Sequence, residues 1–64
     1  MTQYKVKVMA QKPYYIQWQD DIRKWVGVHE KNADVMELSI AVVAVEMMAS
    51  RGHTCEMIEI KGGY

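Results

Sequence analysis

Val35-Met36-Glu37-Leu38-Ser39-Ile40-Ala41-Val42-Val43-Ala44-Val45-Glu46-Met47-Met48-Ala49 is the stretch on which the fold turns. It has two readings. As a helix, it has Asp34 placed as N-cap, Glu37 three residues on in the manner of a capping box, and Gly52 beyond its end. Glu37 and Glu46 then project from opposite sides, so the helix is apolar nearly all round, and a chain this short cannot surround such a helix alone. As a strand, Met36, Leu38, Ile40, Val42 and Ala44 share one face, and Glu37 and Ser39 begin the other. The run Ile40 to Val45 is rich in β-branched residues, which favour strands. Ser50-Arg51-Gly52-His53 makes a hairpin loop. Thr54 to Lys61 returns with Glu56, Ile58 and Ile60 on one face and Cys55, Met57 and Glu59 on the other. The strand is the preferred reading.

Upstream, Gln3 to Ala10 alternates cleanly. Tyr4, Val6, Val8 and Ala10 face one way and Lys5, Lys7 and Met9 the other, the period of a half-buried strand. Pro13 to Val26 reads as an amphipathic helix. At about 100° per residue, Tyr14, Tyr15, Trp18, Ile22, Trp25 and Val26 fall within an arc of about 120°. Pro13 suits the first helical position and Gly27 the position just past the end. Two features run against it: Gln11 and Lys12 are poor N-caps, and Tyr14, Tyr15, Ile16 and Trp18 have strand propensity. The expected fold is a single α+β domain over residues 1–64. Its order is β-α-β-β, with one amphipathic helix on a three-stranded sheet and a right-handed crossover. The alternative order is β-α-α-β. Gly62-Gly63-Tyr64 is expected to be a loose tail.

Sixty-four residues make one domain, marginal in stability because so much of its surface stays exposed. Half the residues are hydrophobic, too many for a disordered chain. The single cysteine, Cys55, rules out an intrachain disulfide and suits a reducing compartment. The start of the chain has no pattern of a secretory signal, and the longest apolar run, Ile40 to Val45, is far below the roughly 20 residues a membrane span needs. A cytoplasmic location is expected.

The formal net charge is zero. Residues 1–31 carry six Lys/Arg and three acids, and residues 32–64 carry two and five, so the halves are +3 and −3. Internal pairing of the halves is the expected outcome, and a dimer in which unlike halves meet is the alternative.

The chain offers little to catalysis. His53 and Cys55 lie two apart and would share a strand face, but a rim His and a semi-buried Cys explain them as well. With His29 they fall short of the spacing of a structural zinc site. Asp20-Asp21 reads as a solvated face, and Glu56 and Glu59 lie on opposite strand faces. No phosphate-binding glycine motif is present. The expectation is therefore no enzyme, no cofactor and no metal.

Surplus apolar surface points to binding instead. The expected role is a protein-interaction module that forms a homodimer and acts as accessory, regulator or inhibitor of a larger protein partner. Val35, Ala41, Val43, Val45 and Met47 are its candidate contact residues. The alternative is a single-stranded nucleic-acid binder. Aromatic residues interleave there with Lys5, Lys7, Lys12, Arg23 and Lys24, bases stacking on the rings and cations following phosphates.

Overall fold

A computed structural model describes residues 2–60. Lys61, at the end of the expected last strand, and the Gly62-Gly63-Tyr64 tail lie outside them. Four strands, β1 (Gln3–Val8), β2 (Tyr14–Gln19), β3 (Lys24–Val28) and β4 (Cys55–Ile60), form one sheet in the order β3-β2-β1-β4, every neighbouring pair antiparallel. One helix, α1 (Leu38–Ala49), packs on that sheet against β1 and β4. The α+β class and the single helix over a sheet are as expected. The element order is β-β-β-α-β, and the sheet has four strands instead of three.

Two segments differ from expectation. Pro13 to Val26 is a hairpin, not a helix. The aromatic and β-branched side chains of β2 pair across to β3, with Trp18 directly opposite Trp25. Their rings meet edge to face, centroids 5.2 Å apart and planes at 66°, a favoured aromatic geometry. The chain reverses through Asp20-Asp21-Ile22-Arg23, where Arg23 takes φ 51°. Ile22, which completed the supposed apolar arc, is exposed at the turn. Residues 38–49 are helix, not strand. The C-terminal stop is the one the alternative, helical reading gives, and Ser50 to His53 is not a hairpin loop. Gly52 has φ +85°, its N–H donates to Ala49 O at 2.9 Å, and that of His53 donates to Met48 O at 3.0 Å. These two bonds are the Schellman pattern, which needs a left-handed residue and so favours glycine. At the other end Glu37, not Asp34, is the N-cap, and its side chain makes no capping bond. Because β3 and β4 lie on opposite edges of an antiparallel sheet, the expected parallel crossover does not occur.

The helix period explains the core. Ala41, Ala44 and Met48 come to one side of α1 and are buried on Val6, Val8, Ile16 and Met36. Small residues at 41 and 44 let the helix axis approach the sheet closely. In β1, Tyr4, Val6 and Val8 face the helix as predicted. Register puts Tyr14, Ile16 and Trp18 of β2 and Trp25 and Gly27 of β3 on the same side.

β1 and β2 form a fork. They pair only at Lys7 with Tyr15 and Val8 with Tyr14. Beyond that point residues 34–36 fill the gap. Asp34 N–H donates to Ile16 O at 3.2 Å, and Met36 and Tyr4 exchange backbone bonds of 2.8 and 2.7 Å. Just before the gap, a 3₁₀ turn at Glu30–Asn32 meets side chains of the opposite sheet face. Lys5 Nζ donates to Glu30 O and Gln17 Nε2 to Asn32 O, both at 2.9 Å. The chain thus crosses from one face to the other between β1 and β2, which sets where α1 begins. No helix among the described residues is long and apolar enough to cross a membrane.

Candidate interaction groove

An α-helix is about 10 Å wide and strands repeat every 4.8 Å or so, so one helix covers about two strands of a sheet. Here it covers β1 and β4. The helix-side face of β2 and β3 is left as an open groove of about 550 Å³. Trp18 and Trp25 form its floor, Ile40 and Met47 of α1 one wall, and Val35 and Met36 the end where the chain emerges from the fork. Asp34 and Glu37 stand at that end and supply its acidic groups.

The two indoles differ. Trp18 Nε1 donates to Asp20 Oδ1 at 3.4 Å, whereas Trp25 Nε1 is buried and has no acceptor. A buried donor left without a partner carries a desolvation cost of about 1–3 kcal/mol. The groove is therefore a largely apolar trough lined by both indoles, with the Trp25 N–H buried behind its surface. Asp34 is held in place by its own fold role: Oδ2 accepts the Trp18 backbone N–H at 2.8 Å, satisfying a β2 group that β1 would otherwise pair.

α1 remains apolar on its outer sides. Leu38, Ile40, Val42, Val43 and Met47 are 37–51% exposed. Of the expected contact residues, Val35, Val43 and Met47 are exposed and lie on or beside the groove. Val45 is half-buried against the core. Ala41 is fully buried and is not a contact residue, because the helical period turns it toward the sheet. Sequence reading missed Trp18, Trp25 and Ile40. The helical reading of Pro13 to Val26 puts both tryptophans on one apolar helix face, whereas the hairpin turn at Asp20–Arg23 sets them side by side on the sheet.

The basic residues do not converge. Lys5, Lys7 and Lys24 lie on the sheet face opposite α1, and Lys12 and Arg23 sit in the turns at opposite ends of β2. Strand alternation puts Tyr4, Tyr14, Trp18 and Trp25 on the helix side, leaving Tyr15 on the lysine face. Rings and cations that interleave in sequence are thereby sorted to opposite sides. The hydrogen bonds of charged side chains among the described residues run to backbone groups or to an indole, not to opposite charges. The expected internal pairing of the +3 and −3 halves thus contributes no hydrogen bond there.

Cys55 is partly buried beside the core, and burial pushes its thiol pKa up. That disfavours the thiolate a nucleophile needs. His53 is exposed on the loop before it, and Nδ1 of His29 accepts the Lys31 N–H at 3.4 Å. No group of three or more His, Cys, Asp or Glu side chains suited to a metal ion occurs among the described residues.

Comparison with protein-family models, with curated proteins and with solved structures finds no match to this chain.

Proposed function

We propose that this chain is a small cytoplasmic protein-interaction module. It self-associates as a homodimer, has no catalytic activity of its own, and acts as accessory, regulator or inhibitor of a larger protein partner. The observation that carries the reading is the uncovered half of the sheet: Trp18 and Trp25 beside Ile40 and Met47. Buried aromatic anchors in such troughs dominate protein-interface energetics. An apolar side chain from the partner fills the trough. A basic residue beside it meets Asp34 and Glu37.

The test compares the wild-type chain with Ile40→Glu. Ile40 is 47% exposed, so the substitution places a charge in the groove without opening the core. Light scattering over a concentration range reports self-association, and affinity capture reports partners. A protein retained by the wild type and lost by Ile40→Glu supports the reading. A wild-type chain that stays monomeric at millimolar concentration and retains nothing overturns it.

A further inference from the structure

We infer that the homodimer forms through the free edge of β4 and the flank of α1 above it. Two sheets join there into one of eight strands, and the two helices lie side by side. This rests on the self-association proposed above and names its surface.

Among the described residues β4 is an edge strand. Even-numbered β4 residues direct their backbone groups to β1, as Thr54 O shows by accepting Met9 N–H at 2.8 Å. The N–H and C=O groups of Cys55, Met57 and Glu59 therefore point outward. Edge strands that must stay unpaired usually carry charged side chains, lysine above all, or proline or a bulge. β4 reads Cys-Glu-Met-Ile-Glu-Ile: it has no lysine, proline or bulge, and its two charges, Glu56 and Glu59, fall on opposite faces.

The flank of α1 above this edge is also unpartnered. Ile40 and Met47 face the groove. At about 100° per residue, Leu38, Val42, Val45 and Ala49 come to the opposite flank. Their 4-3-4 spacing is that of a helix-packing seam. Leu38 is 51% exposed, Val42 39%, and Met57 beside them on β4 is 37% exposed. No charged side chain interrupts the helix seam; on β4, Glu59 shares the helix-side face with Cys55 and Met57.

A second copy fits both features at once. A two-fold axis perpendicular to the sheet makes β4 pair antiparallel with its own copy. Because α1 sits over β1 and β4, its axis lies about half a strand spacing inside β4. Two such offsets plus one strand spacing of about 4.8 Å place the helix axes roughly 10 Å apart. Packed helices lie about 8–10 Å apart. With the axis at Met57, that residue meets its own copy, Glu56 lies opposite Ile58, and Glu59 lies opposite Cys55. No carboxylate faces a carboxylate, which would be destabilising. Six strand residues span about 20 Å, so strand and helix together offer a face roughly 20 Å square, about 400 Å² per copy, the size of a weak, concentration-dependent interface.

The experiment measures mass by light scattering and amide exchange by NMR for wild type, Met57→Lys, Val42→Lys and Ile40→Glu, with circular dichroism as the check on folding. The wild type is expected at twice the 7.4 kDa chain mass, with the amides of Met57 and Glu59 at least tenfold more protected at high than at low concentration. Met57→Lys and Val42→Lys are expected to be folded monomers, while Ile40→Glu, on the groove side, stays dimeric. Should Met57→Lys disturb the fold, Val42→Lys decides the point, because it alters an exposed helix position. A dimer that survives both lysine substitutions overturns this surface and leaves the self-association standing. A wild-type monomer at millimolar concentration overturns both.

Discussion

Ala44 and Val43 are neighbours on α1 with opposite exposures, 0% and 49%, and replacing each gives a sharp test of how the helix sits. Ala44→Leu adds three carbons between α1 and the sheet, where Val6, Val8 and Ile16 are at most 1% exposed and leave no room. Overpacking of this kind costs about 1–3 kcal/mol. A chain of this length has a total stability of roughly 3–10 kcal/mol at about 0.05–0.15 kcal/mol per residue. A loss of about 2 kcal/mol is then a large share of it and lowers the melting temperature by about 8–16 °C. Val43→Lys changes a side chain that already meets solvent, and its effect is expected to stay within about 0.5 kcal/mol. Urea unfolding followed by Trp25 fluorescence at micromolar concentration measures both. Equal losses for the two variants, or a neutral Ala44→Leu, would refute the orientation of α1 and with it the placement of the groove.

Three more outcomes follow from particular contacts. Gly52→Ala is expected to destabilise by about 1 kcal/mol in chemical denaturation. Nothing lies within 4 Å of an added Cβ, so the cost is the left-handed backbone alone. Asp34→Ala removes the acceptor of the Trp18 N–H and loosens the fork; thermal unfolding should show a loss of about 1 kcal/mol for this part-buried bond. For Cys55, burial raises the folded thiol pKa above the ordinary 9.0. The contribution to stability is therefore fully present below the unfolded thiol pKa and is lost as pH rises through the folded one. Thiol titration with a disulfide reagent at pH 8 should be slower in the folded chain than in urea, and equal rates would contradict the burial.

The sequence by itself determined the class of the protein and much of its outline. The alternation of Tyr4, Val6 and Val8 with Lys5 and Lys7 specified β1, and that of Cys55, Met57 and Glu59 with Glu56, Ile58 and Ile60 specified β4. Gly52 marked the end of the element before β4. The surplus of apolar side chains was legible too, as was the exposure of Val35, Val43 and Met47. Tertiary structure decided the two middle segments. Residues 14–26 fit a helical arc as well as a strand, and only the pairing of Trp18 with Trp25 across a reversing turn settles them. For residues 35–49 the strand is preferable only if so small a domain cannot leave an apolar helix exposed. The fold does leave it exposed, because the crossing at Asp34–Met36 seats α1 on β1 and β4 and the far half of the sheet stays bare. Periodicity is a local property that two elements can share, whereas the choice between them rests on partners that lie far apart along the chain.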